Sequence, residues 1–451
     1  MPVPTGRLAA LVAVSALAVL LSPAPGSTFV VVELAVVVVA AVDWLLAVSP
    51  RSLAVERHLP GVVPLDGEAE VVWRVGHPSR PGGGRGGGDG RRRGRGRRRL
   101  RVALADELAP SLRATSRRAR VVVPASGWSS AHTVVRPSRR GRFDVSEMVL
   151  RVSGPLGLVD RQGTRQVPAV LRVYPPFRSR KEAELRIDRA RILEVGLRSA
   201  AGRGGGTEFE SLRDYAVDDE FRRIDWSATA RSGRPIVRTY RAERNQTVLL
   251  LLDAGRTMAG RVDDVPRLDH AMDAVMMLTA VATRLGDRAG LVAFDRRVRA
   301  VVAPGHAHDQ LSRVTEAMYA IEPALAESDY RGAFAETLVR FRRRSLLVLF
   351  TELADQAVTE TLLPALPLVS RTHLLVVASV ADPDIASWAA SVPTDAGTAY
   401  RKAAAVAARR ERARTVARLR GMGATVVDAE PGRLAPLLAD AYLKVKATGR
   451  L

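Results

Sequence analysis

No cysteine occurs in the chain, so disulfides, thiolate zinc sites and a cysteine nucleophile are all excluded. Histidine is sparse. Only His306 and His308 stand close together, and their spacing does not suit a metal-binding helix. Lysine is confined to positions 181, 402, 444 and 446, so the net charge of +22 is almost wholly an arginine charge. Missing too are a Gly-x-x-x-x-Gly-Lys-Ser/Thr phosphate loop, a Gly-x-Ser-x-Gly elbow and a His-Glu-x-x-His helix. No nucleotide cofactor is expected, and the commonest hydrolase signatures are gone.

Hydrophobic residues make up 47% of the 451, enough for a sizeable core. The charge is uneven. Residues 85–101 hold nine arginines and one aspartate, a net of +8, which leaves +14 (22 − 8) spread over the rest. Residues 81–99 are nearly all Gly and Arg and can bury nothing, so they are expected as a disordered, solvated hairpin loop. Such a loop is a tolerated surface insertion, a contact for anionic lipid headgroups, or a nucleic-acid binder through phosphates. Its nearness in sequence to an apolar N-terminus favours lipid over nucleic acid.

Residues 8–21 form an apolar run broken by Ser15, residues 22–27 read as a turn, and residues 28–48 form a second run containing Glu33 and Asp43. A span needs roughly 20 residues, so transmembrane helices are expected at about 8–24 and 28–48. Arg7 precedes the first, Arg51 and Arg57 follow the second, and the turn has no basic residue. The positive-inside rule then puts both flanks in the cytoplasm, as a helical hairpin in the cell membrane. A signal peptide is the rival reading, but it leaves the second run unexplained. Glu33 is expected at the outer interface, and Asp43 within reach of the headgroups or the neighbouring helix.

From residue 51 to 178 short alternating runs lie between turn residues, as at 70–75, 100–104, 120–123 and 149–152. They predict a β-sandwich-like domain. Residues 179–246 read as a linker, with helical spacing at 182–198 and a glycine break at 202–206. Beyond it, the runs 247–252, 288–294, 345–350, 373–380 and 424–428 are too apolar for half-exposed strands. Amphipathic stretches separate them, so residues 247–451 are expected as a doubly wound α/β domain with a parallel sheet.

In such sheets ligands bind at the carboxyl ends of the strands. One strand there ends in Asp253-Ala254-Gly255-Arg256-Thr257 and another in Thr351-Glu352, with Glu327-Ser328-Asp329-Tyr330 before a helix between them. Converging carboxylates and hydroxyls suit Mg²⁺, whereas the plainer reading makes Asp253 and Ser328 helix caps. This arrangement resembles a von Willebrand factor A-like domain, whose metal site uses Asp-x-Ser-x-Ser, a later Thr and a later Asp. The resemblance implies Asp253, Thr257, Ser328 and Glu352 as ligands of a degenerate site. Gly255 stands where a serine is expected and leaves a place for water; Glu352 is one methylene longer than the usual Asp.

The preceding segment is more specific. Gly206-Thr207-Glu208-Phe209-Glu210-Ser211-Leu212-Arg213-Asp214-Tyr215 leads to Asp219-Glu220-Phe221-Arg222-Arg223-Ile224-Asp225-Trp226, then Arg231, Arg238, Tyr240 and Glu243. This is similar to the signature of the bacterial membrane-protein family catalogued as domain of unknown function 58. Gly154-Pro155-Leu156-Gly157-Leu158 and Ala441-Tyr442-Leu443-Lys444 extend the likeness; Val217-Asp218-Asp219-Glu220 departs from the family's usual Gly-Asp-Asp. The mixed-sign charges suit an internal ion-pair network joining the β-domain to the A-like domain. They equally suit a docking surface built on Arg213, Tyr215, Asp219, Arg222, Asp225, Trp226, Arg231, Tyr240 and Glu243. The resemblance implies a non-enzymatic adaptor acting with a MoxR-type AAA+ ATPase, which would supply the ATP-driven work. A metal-dependent hydrolase using Asp253 and Glu352 is the alternative.

Overall fold

The computed structural model describes residues 1–23, 25–77, 98–200, 208–217, 219–241 and 246–448. The Gly/Arg stretch up to residue 97, and Glu243, lie outside these. The chain divides into two compact units, Met1–Tyr174 and Pro175–Leu451.

The first unit opens with a short strand, β1 (Pro2–Pro4), and two helices, α1 (Gly6–Leu20) and α2 (Pro25–Leu46). Both are apolar, built mostly of Ala, Val and Leu. Among the described residues α2, with its continuation to Ser52, is the one helix long and apolar enough to cross a membrane. Ser15 of α1 donates to Glu33 of α2 at 3.2 Å. The strands that follow are β2 (Ala54–His58), β3 (Val62–Pro64), β4 (Ala69–Gly76), β5 (Leu100–Asp106), β6 (Arg118–Val123), β7 (Trp128–Val135), β8 (Gly141–Ser153) and β9 (Val159–Tyr174).

Two sheets result. One has the order β1-β9-β8-β5-β6 with β3 also on β9, and the other is β2-β4-β7. Alternate residues of both point into one core that includes Val71, Trp73, Val75, Val102, Leu104, Leu150 and Val173. The sheets are pinned by a buried ion pair: Arg57 of β2 meets Asp106 of β5 at 2.5 and 3.0 Å. Trp73 of β4 donates its indole N–H to the same carboxylate at 2.6 Å. A buried charge is tolerated only when so satisfied.

Asp43 behaves differently from its sequence expectation. It is buried, and its carboxylate accepts the backbone N–H groups of Leu156, Leu158 and Val159 at 2.7, 2.8 and 3.0 Å. The β8–β9 turn supplies a ready-made anion nest, and backbone donors satisfy the charge better than a neighbouring apolar helix can. A Cβ at Gly154 would collide with that carboxylate, which explains the glycine there.

The second unit begins with α3 (Arg180–Ala200), then β10 (Glu208–Asp214), α4 (Trp226–Ser232) and β11 (Ile236–Arg241). β10 and β11 pair antiparallel. Next come β12 (Thr247–Asp253), a hairpin of β13 (Arg261–Val262) and β14 (Val265–Pro266), α5 (Arg267–Arg284), β15 (Arg288–Phe294) and β16 (Val298–Gly305). They are followed by α6 (Gln310–Met318), α7 (Tyr330–Arg340), β17 (Leu346–Phe350) and the short helices α8 (Asp355–Ala357), α9 (Leu363–Ala365) and α10 (Pro367–Ser370). Last are β18 (Leu374–Val380), α11 (Pro383–Ala390), α12 (Ala396–Gly421), β19 (Thr425–Ala429) and α13 (Leu434–Ala447).

The main sheet runs β16-β15-β12-β17-β18-β19, parallel except for β16. Both its faces are covered. Val248, Leu250 and Leu252 of β12 enter one core with α5 and α13, while Leu249 and Leu251 enter a second with α7. That two-sided burial is why β12 reads as an unbroken apolar run. The antiparallel edge strand β16 has no counterpart in the sequence reading, because its mixed Val-Arg-Ala pattern is that of a half-exposed edge.

Candidate functional site

In chain order the main strands lie 3-2-1-4-5-6, so connections leave β12 and β17 in opposite directions, and the switch point falls at their carboxyl ends. Asp253 ends β12 and Thr351 follows β17 at that point. Asp253 is 0% exposed. Its Oδ1 accepts from the Gly255 N–H at 2.8 Å and from Ser328 Oγ at 2.5 Å. Its Oδ2 accepts from Tyr330 Oη at 2.9 Å and from Thr351 Oγ1 at 2.6 Å. Tyr330 and Thr351 are themselves 2.9 Å apart. Burial pushes the Asp253 carboxyl above its usual range against these four donors. Burial, reinforced by Asp253, also raises the Tyr330 hydroxyl.

Gly255 is explained by this packing. A Cβ there would overlap Ser328 Oγ, so the missing side chain is replaced by the Ser328 hydroxyl approaching Asp253. Ser328 does not cap the following helix; Asp329 does, accepting from the Gly332 N–H at 2.9 Å.

Glu352 belongs to a separate cluster. Its carboxylate lies 2.5 Å from Arg412 and 3.2 Å from Arg267. The Arg267 contact has ion-pair distance without hydrogen-bond alignment, since that Nε finds no acceptor. Arg412 also grips Asp428 at 2.7 and 2.8 Å and donates to Ser379 at 2.9 Å. Burial opposes the Arg412 charge, but Asp428 and Glu352 outweigh it and raise its pKa.

Of the four sequence-predicted ligands, Asp253 and Ser328 are brought together. Thr257 sits half-buried in the turn Arg256–Ala259, and no hydrogen bond joins it to Asp253 among the described residues. A carboxylate offers about four lone-pair sites, and those of Asp253 are filled by protein donors. Mg²⁺ demands several oxygens in near-octahedral array. One saturated carboxylate, with Glu352 neutralised by two arginines, fits that ion poorly. Among the described residues no group of three or more His, Asp or Glu could hold a metal. Tyr330, Thr351, Ser379, Arg267, Arg412 and Asp428 were not singled out as site members from sequence. Tyr330 and Thr351 stand within two residues of ones that were, and that adjacency was the available signal.

The signature segment forms its own small module. Arg213 holds Asp219 through two hydrogen bonds at 2.5 and 2.7 Å, which lowers the Asp219 carboxyl. Asp225 caps α4, accepting from the Ala228 N–H at 3.0 Å, and pairs with Arg238 at 2.9 Å; both hold its pKa down. Further pairs join Arg223 to Glu220 and Arg234 to Asp214. The described ion pairs of this segment therefore close within it.

Among its outward side chains, alongside charged ones, three are large and apolar. Val217, Phe221 and Trp226 are 94%, 68% and 61% exposed. The two rings meet edge to face at 5.6 Å. Arg222 and Arg231 of the same segment are exposed, with no ion-pair partner among the described residues. Tyr215 is half-buried; the Tyr240 side chain and Glu243 lie outside the described residues.

Residues 211–412 match the family model described as protein of unknown function DUF58. That span holds both the aromatic module and the Asp253 network. Uncharacterized protein Rv1480 of Mycobacterium tuberculosis and uncharacterized protein Mb1516 of Mycobacterium bovis are each 28% identical over 153 residues. The match covers 33% of this chain and 48% of theirs, so the chain spans about half the length of these curated relatives. Among solved structures, conserved hypothetical protein BatB from Bacteroides thetaiotaomicron is 12% identical, covering 45% of this chain and 99% of that one, with a TM-score of 0.29. A PilB minor pilin variant from Streptococcus sanguinis is 8% identical, covering 71% and 82%, with a TM-score of 0.30. Likenesses at these TM-scores carry no argument about fold or function.

Proposed function

We propose that this chain is a membrane-anchored, non-enzymatic adaptor whose signature module docks a protein partner. The observation that carries the reading is the exposed Phe221–Trp226 pair, in a segment that also exposes Val217, Arg222 and Arg231. Aromatic and arginine side chains dominate binding hot spots, and a solvent-facing apolar cluster costs solubility unless something covers it. The partner proposed is a MoxR-type AAA+ ATPase, which the family resemblance implies and which would bring the nucleotide chemistry this sequence lacks.

The α/β domain is proposed to be von Willebrand factor A-like. The 3-2-1-4-5-6 order with an antiparallel third strand supports this. α1 and α2 are proposed to cross the membrane as a pair and to leave the soluble parts in the cytoplasm; the Ser15–Glu33 hydrogen bond and the arginines at their ends support it. Docking is proposed to be independent of metal, since Asp253 is saturated by protein donors. Asp253 and Glu352 sit in separate networks, which weighs against a hydrolase using both.

The test is co-purification of full-length chain with a candidate AAA+ ATPase, in wild type and in Trp226→Ala and Phe221→Ala variants. Loss of the ATPase from variants that melt like wild type supports the reading. Undiminished recovery from both would sink it.

A further inference from the structure

The exposed apolar side chains of α2 run to Leu45 and Leu46, and the next residue, Ala47, is already buried in the β-domain. No free linker separates the helix from the folded sheet. The helix end is instead locked: Asp43 sits in the β8–β9 nest, and Thr5, just before α1, donates to the Gly157 and Leu158 carbonyls of the same turn at 2.7 and 2.9 Å.

Around this junction stands a collar of arginines. Arg98 donates to the Leu46 carbonyl at 2.6 Å, Arg161 to the Ala47 carbonyl at 3.4 Å and Arg165 to the Arg51 carbonyl at 2.7 Å. Arg7 donates to the Leu156 carbonyl at 3.3 Å, and Arg51 is exposed. Arg161 also lies 5.5 Å over the ring of Trp44. Among the described residues none of the five has a carboxylate partner. Asp43 is occupied by backbone donors, and Asp160 leaves Oδ1 without a hydrogen bond. A guanidinium has five N–H donors, and these meet only carbonyls, so most of their donors are uncommitted.

From this geometry we infer that the collar is a binding site for anionic phospholipid headgroups. The inference rests on the membrane-anchoring reading. If α2 crosses a bilayer, its apolar surface ends at Leu46, and the arginines that meet the Leu46 and Ala47 carbonyls stand at headgroup depth. Guanidiniums bind phosphate in paired hydrogen bonds, and Trp44 favours the same interfacial layer. The site is rigid because both helix ends are fixed to one turn, so headgroups meet a preformed cluster. Arg98 is the one member drawn from the Gly/Arg stretch of residues 81–99; the stretch up to residue 97 lies outside the described residues and forms no part of the site.

The experiment uses the full-length chain in two stages. Carbonate washing of membranes comes first: a chain that washes off ends the anchoring reading and this proposal with it. For a chain that stays, retention of phosphatidylglycerol against phosphatidylcholine is measured by native mass spectrometry, in wild type, Arg161→Gln/Arg165→Gln and a control, Arg118→Gln/Arg120→Gln. The control residues lie on β6, at the opposite edge of the sheet from β9. Phosphatidylglycerol should be retained preferentially, and the collar variant should bind it roughly thirtyfold more weakly, from about 1 kcal/mol per arginine. Equal retention of both lipids by wild type overturns the inference while leaving the anchor standing. Equal loss in the control variant, or displacement of the lipid by millimolar inorganic phosphate, overturns it as well.

Discussion

Asp253 has both carboxylate oxygens filled, and the glycine two residues on makes that possible. Gly255→Ala should therefore destabilise the α/β unit by about 1–3 kcal/mol through overpacking against Ser328. Ser328→Ala removes the obstructing hydroxyl, so the double variant should recover much of the loss; urea unfolding of the three variants reads this coupling. The raised Asp253 pKa fixes a sign. Below the unfolded carboxyl value, about 3.9, both states hold the proton. As pH rises toward the folded value the unfolded state ionises first, so stability falls until the folded value is passed. The unfolding free energy of wild type minus that of Asp253→Asn should fall with rising pH across that window. A flat difference would mean that the carboxyl is not raised.

At the scale of elements, one side chain of α12 reaches across the ends of three strands of the sheet. Arg412 bridges Glu352 beyond β17, Ser379 of β18 and Asp428 of β19. Arg412→Ala leaves the half-buried Asp428 without this partner and Glu352 with only the Arg267 contact, and should cost about 1–3 kcal/mol in urea unfolding. Arg186→Ala, which loses a part-exposed pair with Asp440, should cost less than about 1 kcal/mol. In α4 the loss of the Asp225 cap in Asp225→Ala should lower the unfolding midpoint and loosen the platform under Trp226. Much of this level was legible in the residues. The unbroken run at 247–252 announced a strand buried on both faces, and the carboxyl-end rule led to Asp253 and Ser328. Arg412 was not legible, because nothing local distinguishes it from the other arginines of its helix; its partners come from three strands. The saturation of Asp253 was equally hidden, since it depends on the Tyr330 and Thr351 hydroxyls aiming at one carboxylate.

At the scale of the whole molecule, the apolar N-terminus and the change from alternating to unbroken strands could be read directly. The seat of Asp43 could not, because its donors are backbone N–H groups more than a hundred residues away. The same holds for the aromatic pair: the signature segment was visible, but the pairing of Arg213 with Asp219 and of Arg238 with Asp225, and the exposure of Phe221 and Trp226, are properties of the fold. The central claim is that these rings, and no metal at Asp253, hold the partner. Quantitative capture of the AAA+ ATPase by full-length wild type, Trp226→Ala and Asp253→Asn tests it most directly. ATP and EDTA conditions are matched, and unfolding midpoints are measured alongside. The account predicts loss with Trp226→Ala at an unchanged midpoint, and capture retained by Asp253→Asn. Capture that survives Trp226→Ala but vanishes with a folded Asp253→Asn would contradict it.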